Sequence, residues 1–198
     1  MEPPVAVAGG GGCDGAPNPA DLTQIVAAGD ATDDDRTDFF ATVGDDLWAF
    51  TGYHGVTIGQ ATRLATSGWG SERDLVSALD ISGDGVTDLL YRNNTTSKLM
   101  LRKGIAVADD EVDVDSLASA ANSAGGSDTE YGSSGWSRTN IPLLMGTPDA
   151  NGDSVPDIWT VHANGSVRFY PGSPTGLSGS GSEIISPRSY WQTRITIG

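Results

Sequence analysis

Three nine-residue stretches carry the residue types best suited to chemistry in this chain: residues 30–38 (DATDDDRTD), 80–88 (DISGDGVTD) and 149–157 (DANGDSVPD). Each has Asp at its first, fifth and ninth positions. A hard cation such as calcium takes about six to eight oxygens at roughly 2.3–2.6 Å from carboxylates, amides, backbone carbonyls and water. Alternate positions of a tight loop can turn such oxygens inward. The first loop then offers Asp30, Thr32, Asp34, the carbonyl of Arg36, and Asp38. The second offers Asp80, Ser82, Asp84, the carbonyl of Val86, and Asp88, and the third Asp149, Asn151, Asp153, the carbonyl of Val155, and Asp157. Three loops with at least three aspartates each crowd like charges that repel one another without a counter-ion. The expectation is up to three bound Ca2+ ions with a structural role.

The competing reading is that Asp and Gly simply favour turns, their side-chain oxygens accepting from nearby amides. Recurrence on one frame favours metal. An EF-hand is excluded by spacing, because the twelfth residue from each first Asp is Ala41, Tyr91 or Thr160 rather than Glu. Magnesium fits less well, since it demands tighter octahedral geometry and keeps more water. The copies differ in detail. The first loop has Asp33 and Asp35 where the second has glycines, placing side chains at turn positions that favour positive φ. The second has only a hydroxyl, Ser82, at its third position, and the third has Ser154 in place of a glycine.

The elements that position these loops repeat as well. IVAAG, LVSAL and IPLLMGTP precede them, and FFATV, LLYR and IWTVH follow, each of strand-like length and composition. Directly after the ninth Asp come two apolar residues, Phe39-Phe40, Leu89-Leu90 and Ile158-Trp159. Neighbours in a strand point to opposite faces, so this strand should be covered on both sides, as in a sheet stacked between sheets. A hairpin follows in each copy, with turn residues such as Asn164-Gly165, and its second strand stops at Gly52, Gly104 or Gly172. Trp69, Trp136 and Trp191 then precede the next unit in register, a placement that favours packing between units over sugar stacking. The reading is all-β, with units of about four strands at residues 22–72, 73–138 and 139–198 and a flexible Gly- and Pro-rich segment at 1–21. Residues 109–135 read as a surface insertion in the second unit, mostly loop, with a short helix after Ser116. The ending TRITIG reads as an extra strand.

The order of strand, D-x-[DN]-G-D-G-x-x-D loop, strand, hairpin and terminal Gly-Trp resembles the FG-GAP or VCBS repeat, the calcium-binding blade of integrin alpha-subunit propellers and of many secreted bacterial proteins. GTPDANGDSVPDIW and VRFYPGS look most like the bacterial secreted form. The resemblance covers residues 22–198. It implies β-propeller blades of four antiparallel strands and an extracellular, calcium-stabilised accessory or binding module for carbohydrate or protein. It also leaves open part of a polysaccharide-acting hydrolase or lyase, or an integrin-like adhesion module. Propellers close with about four to eight blades. Three units therefore imply either missing upstream blades or two chains pairing into one ring.

Composition narrows the remaining classes. A formal charge of -15 repels nucleic acid and anionic membranes. The single cysteine, Cys13, allows neither an internal disulfide nor a cysteine metal cluster, and Gly10 lies where a lipid-anchoring motif wants a Leu-like residue. No run approaches the roughly 18 apolar residues of a membrane span, and MEPPVAVAGGGG lacks the basic start of a secretory signal. An extracellular location then requires a signal outside this chain. His54 and His162 occupy unrelated places in their units and accompany no nucleophile motif, so no catalytic residues are assigned. Asn93, Asn94 and Asn164 begin Asn-x-Ser/Thr triplets that are incidental in a protein of this type.

Overall fold

The computed structural model describes residues 13, 15–108, 111–177 and 179–196. Among them the chain builds three four-stranded antiparallel sheets and one two-stranded arm. Sheet 1 runs in chain order: β1 (Gln24–Gly29), β2 (Thr37–Val43), β3 (Asp46–Tyr53) and β4 (Gln60–Ala65). Sheet 2 begins with β5 (Arg73–Ser77), β6 (Leu89–Asn93) and β7 (Lys98–Arg102). The arm, β8 (Ala106–Ala108) with β9 (Glu111–Val112), follows, and β10 (Thr129–Gly132) returns to pair with β7. Sheet 3 is β11 (Leu143–Thr147), β12 (Asp157–Val161), β13 (Val167–Tyr170) and β14 (Ser182–Ile185). The described sheets do not close into a barrel or ring.

The doublets after each ninth Asp set how the sheets stack. Leu89 belongs to the core shared with sheet 1, and its neighbour Leu90 to the core shared with sheet 3, both with no exposed surface. Sheet 2 is therefore covered on both faces, as its sequence pattern requires. Sheet 1 turns Phe40 toward sheet 2 and Phe39 to its outer face, where Trp48, Phe50 and Ile58 gather. In sheet 3, Ile158 faces sheet 2 and Trp159 is left half-buried on the outside. The ladders agree: Phe40 opposes Ala49, Leu90 opposes Leu101 and Trp159 opposes Phe169. The first strands, β1, β5 and β11, come together with β5 between the other two.

The tryptophans seal the junctions. Trp69 and Trp136, both buried, contact Tyr91 and Tyr170 of the following sheet, with ring centroids 5.4 and 4.9 Å apart. Trp191 lies half-buried on the short helix α1 (Ser189–Gln192), its ring edge-on to that of Tyr190 at 5.5 Å.

Several expectations are corrected by tertiary contacts. The described part of the expected insertion, residues 111–135, is not all surface: it contains β10, the fourth strand of sheet 2, and buries Val112, Leu117 and Tyr131. The expected helix after Ser116 is instead a 3-10 turn at Val114–Leu117, capped by Asp113, and turns follow it. TRITIG forms no strand among its described residues, and Ile195 is almost fully exposed. Of the N-terminal segment, residues 1–12 and 14 lie outside the described residues, while Asn18 caps a 3-10 turn at Pro19–Asp21.

Candidate metal centre

Each aspartate loop links the first strand of a sheet to the second, and its ninth residue enters the second strand or lies just before it. Asp38, Asp88 and Asp157 are almost completely buried. One carboxylate oxygen of each accepts amides at the start of its own loop. For Asp38 these are Ala31 and Thr32 at 2.9 and 3.1 Å, for Asp88 Ile81 and Ser82 at 3.1 and 2.8 Å, and for Asp157 Ala150 at 2.8 Å. The other oxygen accepts the amide of a glycine near or just past the end of the third strand: Gly52 at 2.8 Å, Gly104 at 3.1 Å and Gly172 at 2.8 Å. The ninth Asp thus clasps loop and hairpin together.

Glycine at the far side of the clasp has a steric cause. A Cβ on Gly104 would overlap the Thr87 carbonyl oxygen, and one on Gly172 the Pro156 carbonyl oxygen. Backbone cannot rotate away as a side chain can. Gly172→Ala should therefore lower stability by about 1–3 kcal/mol, the usual penalty of forced overpacking. The expected reading is a lower urea midpoint with an unchanged slope.

First-position aspartates organise the loops themselves. Asp30 accepts the amides of Asp34 and Asp35 at 3.0 and 2.8 Å. Asp80 accepts Gly83, Asp84 and Gly85 at 2.7, 3.1 and 2.9 Å. Asp149 takes Gly152, Asp153 and Ser154 at 2.6, 3.1 and 2.8 Å, and these amides hold its carboxyl below the ordinary range. Asp33 and Asp35 have φ of 52° and 62°, and Ser154 of 70°, so the first and third loops hold left-handed conformations without glycine, at an energetic cost. Fifth-position Asp84 and Asp153 accept Val86 and Val155 amides at 3.1 and 3.0 Å, and Asp34 lies against Gly52. Arg36, whose carbonyl is the seventh-position candidate of the first loop, is exposed.

The third positions separate the loops. Thr32 donates its hydroxyl to Asp38 at 3.0 Å. Asn151 donates its amide to Asp153 at 2.9 Å and to Asp157 at 3.3 Å, placing partial positive charge between two carboxylates. Ser82 has no such outlet: its hydroxyl is buried without a partner. Burial pushes the neighbouring Asp88 carboxyl up to about 6, against the amides of Ser82 and Gly104 and the nearby Ser82 hydroxyl, which stands close to the carboxylate without forming a well-aligned hydrogen bond, and the charge of Asp84 adds to the rise. A buried hydroxyl without a well-aligned partner, beside a carboxylate whose ionisation burial opposes, fits a cation site, because a cation supplies both a partner and the opposing charge. The second loop fits best on these grounds. Among the described residues, no three His, Cys, Asp or Glu side chains already converge as a metal-holding group. The loops as they stand satisfy their carboxylates largely with backbone amides, and one oxygen each of Asp38, Asp80, Asp88 and Asp149 already accepts two or three bonds.

Two buried ion clusters escaped the sequence reading. Asp74 accepts from Arg92 Nε at 2.7 Å and also pairs with Arg138, while Arg92 reaches the Ile141 carbonyl at 2.6 Å. Asp128 takes both arms of Arg102 at 2.8 and 2.9 Å and the Tyr91 hydroxyl at 2.7 Å. No local motif announces either, since their members lie 18 to 64 residues apart. Both histidines serve local contacts, His54 with the Gly52 carbonyl at 2.7 Å and His162 with the Tyr170 hydroxyl at 3.4 Å. Between β1, β5 and β11 lies a largely apolar cavity of about 450 Å³, walled in part by Ile25, Val76, Leu79 and Met145.

The sequence matches no protein-family model, and comparison with curated proteins finds no match.

Proposed function

We propose that this chain is a calcium-stabilised module of β-propeller type, carried by a secreted protein and acting by binding rather than by catalysis. The observation that supports the metal most directly is the second loop, where the buried Ser82 hydroxyl, without a well-aligned hydrogen bond, stands beside Asp88, whose ionisation burial opposes. Asp80, Ser82, Asp84, the Val86 carbonyl and Asp88 would hold the ion there. The corresponding residues of the third and first loops would hold two more. The propeller reading is supported by three stacked four-stranded sheets whose first strands meet, and by the FG-GAP or VCBS character of the loops. Bound calcium would offset much of each loop's negative charge and tie the clasp between loop and hairpin. Extracellular modules work with dissociation constants of about 0.1–1 mM because the medium supplies calcium at that level, and this is the argument for secretion. Carbohydrate or an extracellular protein is the partner class proposed.

The test is thermal unfolding in calcium and in chelator, with bound metal counted by elemental analysis. At free calcium about ten times the dissociation constant, linkage gives about 1.4 kcal/mol per site. Three sites then sum to about 4 kcal/mol, or roughly 8–16 °C at about 2–4 °C per kcal/mol for a domain of this size. A melting curve unmoved by chelator, with no calcium retained, would remove the metal and the argument for secretion together.

A further inference from the structure

Each junction between neighbouring sheets has a trailing half and a leading half. On the trailing side, the tryptophan after a sheet, Trp69 or Trp136, seats against a tyrosine of the next sheet. On the leading side, the segment after the third-strand glycine reaches back over the preceding unit. The Val112 amide donates to the Ala31 carbonyl at 2.9 Å, and the Leu177 amide to the Tyr131 carbonyl at 2.6 Å. The same construction is used twice.

Among the described residues three sheets make two junctions, and one half of each kind is not engaged in either. The spare trailing half belongs to sheet 3, where Trp191 is half-buried, Trp159 and Phe169 pair at 4.9 Å on the uncovered face, and Ile184 is 54% exposed. The spare leading half belongs to sheet 1. Its segment 53–58 occupies the place that 105–112 and 173–177 hold in the other units, and carries Tyr53 at 44% and Val56 at 85% exposure. Leu22 and Ile58 partly roof the Trp48–Phe50 face, which leaves Tyr53 and Val56 standing outside it. Large exposed apolar side chains among the described residues concentrate in these end units, with only Ile105 and Val107 elsewhere.

We propose that the two spare halves join head to tail between two copies of this chain, sheet 3 of one copy seating against sheet 1 of the other. The contact is of the kind the chain already makes with itself at its two internal junctions, a sheet face and the segment after it meeting the next sheet. A contact between two different patches must either close or propagate. Two copies bring six four-stranded sheets, within the about four to eight at which radially repeated sheets close. The proposal does not depend on metal in the loops.

The experiment is sedimentation velocity of the full chain over micromolar to millimolar concentration, at about 0.15 M salt so that charge repulsion is screened beyond about 8 Å. Runs in calcium and in chelator keep this question separate from that of the metal. The expected result is a concentration-dependent species of twice the 20.4 kDa chain mass. Val56→Glu spoils the leading half and Ile184→Glu the trailing half. Both alter exposed side chains, and an unchanged unfolding midpoint verifies that each variant folds. Either variant alone should dimerise at least about tenfold more weakly, because a charge is placed where apolar surface must be buried. An equimolar mixture of the two should regain association, since one junction then pairs two unaltered halves. A chain that stays monomeric throughout overturns the proposal. So does a dimer indifferent to both substitutions, or a mixture that behaves like either variant alone.

Discussion

Replacing Asp74 with alanine should lower the unfolding free energy by about 3–5 kcal/mol, because it strands a buried guanidinium without its counter-charge. Arg92 is 4% exposed, and its Nε and one terminal nitrogen are directed at Asp74. What remains after the substitution are the bonds from Arg92 to the Ile141 and Trp136 carbonyls, which satisfy a donor but not the charge. Arg138→Ala is the contrasting variant. That guanidinium is half-exposed, and removing it leaves Asp74 still paired with Arg92, so the loss should be about 1 kcal/mol or less. Urea unfolding of both variants decides the matter, and equal losses would mean that the cluster holds the fold through shape rather than charge.

The same cluster dictates a response to acid. Burial alone would raise the Asp74 carboxyl, but the hydrogen bond from Arg138 and the charge of Arg92 outweigh it and hold the group below its ordinary value. Asp128 is likewise lowered, by Arg102 and Tyr91 acting against burial. A carboxylate whose folded pKa is depressed stabilises the fold above its unfolded value, and that contribution fades as pH falls through the folded value. Stability should therefore drop as pH falls below about 4, the unfolded range for Asp. Asp74→Ala should flatten part of this drop, a change measured by urea midpoints across the acid range.

Asp88→Ala should cost several kcal/mol by a different route. Its carboxylate is the sole described acceptor for the buried amides of Ile81, Ser82 and Gly104. Each amide left unpaired costs about 1–3 kcal/mol, so loss of all three threatens the second sheet as a whole. Asp88→Asn keeps one acceptor oxygen while removing the charge, and should recover part of that stability in chelator. In calcium the isosteric amide should gain less than the natural chain, since the ion loses a charged ligand. Unfolding midpoints for both variants with and without calcium separate the clasp from the metal. An equal calcium response in Asp88→Asn and the natural chain would show that this carboxylate holds backbone only.

Local pattern by itself determined the repeated parts of this protein. The Asp frame marked three loops that adopt one hydrogen-bonded form, and the apolar doublets marked strands whose neighbours face opposite ways. Those features depend on alternation and turn preference within about ten residues, where side-chain chemistry and backbone geometry act directly. Tertiary structure alone decided the rest. The glycines 14 to 16 residues beyond each ninth Asp were visible as strand ends, yet only folding revealed them as the partners of that carboxylate. β10 was hidden because TEYG is short, lacks alternation and becomes a strand only through pairing with β7. Asp74 and Asp128 looked like any other acidic residues in a chain of charge -15. Their arginines arrive from strands and connecting segments far along the chain, and long-range meetings of charge leave no periodic trace in sequence.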